Sequence, residues 1–167
     1  GSDVALMLGL AHTLLAEGLH DRDFLDRCCV GFDRFAAYLR GEGDGPPKTA
    51  EWAERLSGIP AEAIRRLARR MASRRTLINV NWSLQRVEHG EQAPWLAVTL
   101  AAMLGQIGRP GGGFGLGYGS LGYVGRPPLR SHPPALPQRA NPVRTAIPFA
   151  RFADMLLEPG EPFDFDG

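Results

Sequence analysis

The sequence has almost no net charge: nineteen basic against eighteen acidic residues leave a formal +1 over 167 positions. So weak a field recruits neither nucleic acid nor an anionic membrane, and any binding has to come from local arrangements. Long apolar runs are missing as well. The longest, Val4 to Ala11, is far short of the roughly 20 residues that cross a bilayer, so no membrane-spanning helix and no targeting signal is expected in this stretch. Cysteine is nearly absent. Cys28 and Cys29 are adjacent, which is poor geometry for a structural disulfide and lacks the paired spacing of a zinc site, so both are expected to be buried thiols. No H-E-x-x-H, P-loop, strand-borne nucleophile elbow or iron–sulfur cysteine cluster occurs, which leaves hydrolase, kinase and zinc-enzyme functions without support.

What is present is a globular composition, 44% apolar and 22% charged, long enough for one domain with a sizeable core. Ser2 and Asp3 precede a nearly all-apolar helical pattern from Val4 to about Ala16, closed by Gly18, and their side chains are placed to cap its first turn. A helix with so little polar face belongs inside something. Asp21 can cap a second helix through Phe24, Leu25 and Cys28, with Phe32, Phe35, Ala36 and Leu39 continuing at helical spacing to a stop at Gly41. After a loop to Lys48, Thr49 caps a short helix through Trp52 and Leu56 that ends at Gly58. Pro60 opens the next, whose apolar stripe is Ile64, Leu67, Ala68 and Met71. Thr76 to Val80 is short and β-branched, the one convincing strand, and reads as a buried parallel strand whose neighbours lie outside this sequence. Ala93 to Leu104 is again an apolar helix, stopped by Gly105. Helix, strand, loop, helix is a piece of an α/β layer structure.

Glycine is dense from Gly108 to Gly125 and seven prolines fall between Arg126 and Pro148, a composition expected to exclude both helix and central strand. Residues 108–147 therefore read as a long Gly/Pro-rich loop, followed by a terminal helix over 148–158 with Phe149, Phe152, Ala153 and Leu156 on one face. Gly1 without an initiator Met, and the turn-like Asp164–Gly167, suggest a segment of a longer chain; a Gly1-Ser2 cloning scar is the alternative, with native sequence from Asp3. Three patterns are set aside. The arginines at 65, 66, 69, 70, 74 and 75 fit a solvated helix face, since no aromatic is interleaved for base stacking. Gly117–Gly122 matches G-x-G-x-x-G, but glycine precedes and proline follows where a strand and a helix are needed. Asn81-Trp82-Ser83 is a formal glycosylation sequon discounted because it directly follows a buried strand.

The stretch from Asn81 to Gln92 has the right residue types in the right place. It leaves the carboxyl end of the strand, where open α/β sheets bind ligands. Trp82 offers a flat apolar wall and Arg86 a guanidinium fork suited to phosphate or an electron-rich heterocycle. The competing reading puts Trp82 in the core with Arg86 and Glu91 paired on the surface, and residue chemistry alone leaves both open.

Taken together, Gly1–Gly9, Lys48–Ala53, Trp82–Gln92, Ala102–Gly108 and Pro110–Gly115 resemble the dimethyl sulfoxide / trimethylamine N-oxide / biotin sulfoxide reductase group of molybdopterin enzymes. The likeness covers roughly residues 1 to 118 and weakens beyond Tyr118, where the proline-rich stretch departs from the family pattern. It implies an α/β parent domain, dinucleotide-binding-like, with a parallel sheet and helices, of which residues 1–167 are a single mostly α-helical segment with one or few strands. It implies bis(molybdopterin guanine dinucleotide) molybdenum as cofactor and a small S-oxide or N-oxide as substrate, with the remainder of the parent chain as structural partner. Cofactor-binding roles carry over to Gly1, Ser2 and Asp3 at the guanosine end, and to Trp82, Ser83 and Arg86, supported by Gln85, His89 and Glu91. The family's metal-ligating serine lies upstream, so no catalytic and no metal-binding residue is expected here and the isolated segment is expected to be inactive. The parent's compartment, cytoplasm or periplasm, stays open. The rivals are a nitrate reductase or formate dehydrogenase relative, and a non-catalytic helical binding module.

Overall fold

The computed structural model describes residues 2–43, 45–117, 137, 140, 142 and 151–162. The chain divides into two units, residues 1–128 and 129–167. The described part of the first contains six helices, α1 (Asp3–Ala16), α2 (Arg22–Cys28), α3 (Phe32–Arg40), α4 (Ala50–Ser57), α5 (Ala61–Ala72) and α6 (Gln92–Met103), a 3-10 turn at Trp82–Gln85, and two strands, β1 (Leu77–Val80) and β2 (Gly113–Leu116). In the second, α7 spans Phe152–Leu157, inside the expected 148–158, and residues 148–150 lie outside the described set. Most of the expected 108–147 loop also lies outside it, as do Gly1 and Asp44.

The core forms around α1, which packs against α3, α4, α5 and α6. This accounts for its near-uniform apolarity: Leu8, Leu10, Ala11 and Leu14 are all buried and meet Leu39, Ile64, Leu100 and Met103 from the surrounding helices. Each fully buried leucine of this kind contributes about 1.5–3 kcal/mol. The closest approach is between α1 and α4, where a Cβ added to Gly9 would fall 2.6 Å from the Cβ of Ala53. Two caps follow the sequence, with Asp21 accepting from the Phe24 N–H at 2.9 Å and Thr49 from the Trp52 N–H at 3.1 Å. The helical run after Asp21 is split in two, because the chain turns at Cys29–Gly31 and Gly31 takes φ 86°. That turn carries the thiols outward: Cys28 is exposed and Cys29 half-buried, which corrects the expectation of buried thiols.

Two arginines of the α5 face form ion pairs, within the helix and with its neighbours. Arg65 bridges Glu51 at 2.5 Å and Glu62 at 3.2 Å, and Arg69 reaches Glu17 at 2.8 Å. The Arg65 guanidinium, helped by the Glu51 N–H and the Thr49 hydroxyl, pulls the Glu51 carboxyl down to about 2, so it stays ionised across the physiological range. These pairs are exposed and fix register more than they stabilise. Leu67 is 43% exposed and does not belong to the buried stripe. Lys48, the one buried charge among the described residues, is satisfied locally: its Nζ donates to the Pro46 carbonyl at 2.6 Å and lies 4.5 Å from the Tyr38 ring.

β1 pairs in parallel with β2, Leu77 opposite Gly113 and Val80 opposite Leu116. A strand thus forms inside the glycine tract, and β1 has its neighbour within this chain, correcting both expectations. Gly113 and Gly115 are the buried positions of this strand, with Gly113 at φ 94° beside Gln106 and Ile107, while Phe114 and Leu116 stay exposed. β1 is not fully buried, since Leu77 and Asn79 are exposed.

Gly9→Ala is expected to lower stability by about 1–3 kcal/mol, despite alanine's better helix propensity, because the added methyl overpacks against Ala53. Chemical denaturation of Gly9→Ala, Ala53→Gly and the double variant should give positive coupling, the second substitution making room for the first.

Candidate functional site

Parallel pairing puts the carboxyl ends of both strands on one edge, and two segments leave from it. One is Asn81–Glu91 after β1, and the other begins at Gly117, whose N–H donates to the Val80 carbonyl at 2.9 Å. A strand therefore does precede Gly117–Gly122, contrary to the expectation, while Tyr118–Gly122 lie outside the described residues.

The segment after β1 is built tightly. Asn81 accepts the Trp82 N–H through its side-chain Oδ1 at 2.7 Å and starts the 3-10 turn, which Leu84 anchors to the core. The Arg86 N–H then donates to the Ser83 carbonyl at 3.1 Å, and the Gly90 N–H to the Val87 carbonyl at 3.0 Å. Within this last turn His89 has φ 55°, the one non-glycine positive φ among the described residues, a conformation that costs about 1–3 kcal/mol and persists only where the surroundings over-determine it. Gly90 is required by space: a Cβ there would sit 1.9 Å from the Gln85 carbonyl oxygen. The Gln92 N–H donates to the His89 carbonyl at 3.1 Å as α6 begins.

Because α1 packs on α6, the first turn of α1 meets this loop, and a cavity of about 230 Å³ opens between them. Asp3 and Val4 form one side; Val87, Glu88, His89 and Gln92 form the other. The sequence therefore named two of its polar groups, Asp3 and His89, from opposite ends of the chain, and missed Glu88 and Gln92. Both lie within the singled-out stretch, but their role depends on which side of the turn faces α1, which residue type does not encode. Trp82, Ser83, Gln85, Arg86 and Glu91 do not line the cavity; they lie on the same loop, Trp82 half-buried and the other four exposed. Gly1 lies outside the described residues.

Two competing readings meet their test here. Ser2 is the N-cap of α1 but makes no side-chain capping bond, and Asp3, in the first turn, is exposed with no hydrogen bond or ion pair among the described residues. The capping role expected of them is not taken. Arg86 and Glu91, both exposed, form no ion pair among the described residues, so the surface pair of the alternative reading is also missing. Glu88 approaches His89 only at 4.0 Å, with both side chains largely exposed.

The polar lining of the cavity includes two acceptor carboxylates. These carboxylates, Asp3 and Glu88, repel phosphate and attract N–H groups, and the α1 N-terminus favours the Asp3 negative charge by about 0.3–1 kcal/mol. A heterocycle edge with two adjacent N–H donors, as guanine presents, fits this set. A phosphate does not fit there, but does fit the exposed guanidinium of Arg86 on the same loop. Among the described residues no cluster of three or more metal-ligating side chains forms. None of the helices there is long and apolar enough to cross a membrane.

Comparison with known proteins bears directly on this arrangement. The family model for molybdopterin oxidoreductases matches residues 1–162. The chain belongs to the molybdopterin oxidoreductase family. It is 55% identical over 166 residues to biotin sulfoxide reductase from Cereibacter sphaeroides, covering 99% of this chain and 22% of that protein. It is 54% identical over 179 residues to the dimethyl sulfoxide/trimethylamine N-oxide reductase of the same organism, and 50% identical over 177 residues to trimethylamine-N-oxide reductase 1 of Escherichia coli strain K12, in each case covering 99% of this chain and 21% of the relative. The chain thus spans about a fifth of the length of the curated relatives it matches. Those relatives are named as S-oxide and N-oxide reductases, the group that the sequence motifs resemble.

Gly90→Ala should force the Gln85 carbonyl aside and loosen the whole loop. Hydrogen exchange is expected to quicken at least about ten-fold over residues 82–92, with α4 and α5 unchanged.

Proposed function

We propose that residues 1–167 are one stretch of a molybdenum-dependent S-oxide or N-oxide reductase, and that this stretch holds the guanine dinucleotide end of its molybdopterin cofactor. The observation that carries the reading is the Asp3 carboxylate: exposed, unpaired among the described residues, and facing the β1–α6 loop across one cavity. Asp3 accepts the paired N–H groups of a guanine edge, with Val87 and His89 beside the ring and Glu88 and Gln92 at the rim. Ser2 adds a hydroxyl at the same helix end, and Gly1 immediately precedes it. Arg86 pairs with the diphosphate, while Trp82 and Ser83 border the path toward the pterin. Gln85 and Glu91 steady the loop. Glycine at 90 keeps the turn narrow enough to hold these groups together.

When bound, the cofactor supplies the two-electron oxygen-atom chemistry by which an S-oxide or N-oxide is reduced. This chain's own residues bind and orient; none of them is assigned a catalytic or metal-ligating role, and the isolated 167 residues are expected to be inactive. Identity of 50–55% to enzymes named for biotin sulfoxide, dimethyl sulfoxide and trimethylamine N-oxide supports this substrate class over nitrate or formate. The wider α/β parent domain, in which β1 and β2 join further strands, belongs to the same proposal.

A carboxylate with two N–H partners contributes about 1.5–3 kcal/mol, or about ten-fold or more in affinity. In the full-length protein, Asp3→Asn and Arg86→Ala are therefore each expected to retain at most about a tenth of the wild-type molybdenum and releasable guanine nucleotide after desalting. Metal analysis and nucleotide chromatography read both; unchanged content in both variants contradicts the assignment.

A further inference from the structure

The two cysteines have no part in the cofactor reading, yet the fold places them together in the open. They are the only cysteines in the sequence, so within these 167 residues each has only the other as a disulfide partner. Cys28 is exposed and Cys29 half-buried. The turn after them leaves room for a small molecule to approach: Val30 is fully exposed, and nothing lies within 4 Å of the position a Cβ would take at Gly31. Cys29 also lines, with Val30, Phe35 and Trp95 of α6, an open apolar cavity of about 570 Å³, where Trp95 is 67% exposed. Cys28 is the last residue of α2, and Cys29 follows in extended conformation at φ −127° and ψ 151°, its N–H donating to the Leu25 carbonyl at 3.0 Å. A helical residue followed by an extended one is the backbone of a type VIII turn. In that conformation adjacent thiols can close on each other across a trans peptide, and no cis peptide occurs among the described residues.

We propose that Cys28 and Cys29 form a reversible dithiol–disulfide pair, a redox-sensitive modification site whose oxidant is a low-molecular-weight disulfide such as glutathione disulfide. Oxidation takes two thiol–disulfide exchanges. The exposed Cys28 thiolate attacks one sulfur of the oxidant, giving a mixed disulfide at Cys28 and releasing one glutathione. Cys29, the next residue, then attacks the Cys28 sulfur; the Cys28–Cys29 S–S bond forms and the second glutathione leaves. The pair has lost two electrons and its two thiol protons, and the two glutathiones have taken them up. Ring closure joins neighbours whose Cα atoms lie about 3.8 Å apart across a trans peptide, below the roughly 4.4–6.8 Å that ordinary disulfides span. Such a bond is strained, and strained or exposed disulfides are the readily reduced ones, so the pair acts as a switch and not as a structural staple. Closing the ring ties Cys29 to the end of α2 and stiffens the wall of the cavity that Cys29, Val30 and Gly31 form. The site is independent of the cofactor assignment, since neither cysteine lines the Asp3 cavity.

The test uses the full-length protein, reduced, freed of reductant and exposed to glutathione disulfide, then quenched with acid, alkylated and peptide-mapped by mass spectrometry. In the wild type the peptide carrying Cys28 and Cys29 is expected to lose two hydrogens, to resist alkylation, and to recover both thiols on addition of reduced glutathione. Cys29→Ser is expected to stop at a stable glutathione adduct on Cys28. Cys28→Ser is expected to react at least about ten-fold more slowly, since its remaining thiol is half-buried. A wild-type peptide that stays fully alkylatable, one that stops at a glutathione adduct, or one joined to a cysteine elsewhere or in a second copy overturns the proposal. A Cys28→Ser variant as fast as Cys29→Ser contradicts the order of attack. If either variant does not fold, the wild-type measurement decides alone.

Discussion

Burial of α1 on every side is the constraint from which the rest of this structure follows. Its sequence has no continuous polar face, so it cannot rest on a surface. Four helices close around it, and the tightest contact, Gly9 against Ala53, sets how near α4 can come. Once α1 is fixed between α4, α5 and α6, its N-terminus has only one place to be: beside the loop that leads from β1 into α6. The position of Asp3 is a consequence of core packing, reached without any contact made by the Asp3 side chain itself.

The second ingredient is local. A parallel strand pair sends both of its carboxyl ends to one edge, and the chain there has to turn quickly into α6. It does so with a 3-10 turn, a strained His89 and a Gly90 that tolerates no side chain. Such a turn holds the backbone closely, while the Glu88 and His89 side chains stay largely exposed beside the cavity.

Much of this was legible in the sequence, for reasons that differ from residue to residue. The caps at Asp21 and Thr49 and the stops at Gly41, Gly58 and Gly105 could be read because they depend on the conformational preferences of single residues. β2 could not, because glycines at 113 and 115 conceal the alternation that marks a strand, and the left-handed φ of 94° that calls for glycine at 113 is not announced by any local pattern. Cys28 and Cys29 were expected buried only because disulfide and zinc roles were excluded, which says nothing of exposure, and the turn that follows at Gly31 leaves Cys28 exposed and Cys29 half-buried. For the site, residue type and family resemblance pointed to Asp3, Trp82, Ser83, Arg86 and His89, of which only Asp3 and His89 line one cavity, and their meeting with Glu88 and Gln92 is a tertiary event that no local pattern announces. The open flank of α6 was equally invisible, since an all-apolar helix reads as buried whatever covers it.

The central claim is that Asp3 receives a guanine. An experimental structure of the full-length, cofactor-loaded protein tests it most directly. The account predicts a guanine whose N1–H and exocyclic amine both lie about 2.7–3.2 Å from the Asp3 carboxylate, with the ring against the Val87–His89 turn. A loaded protein with every guanine bound elsewhere and Asp3 facing solvent or another protein group would contradict it.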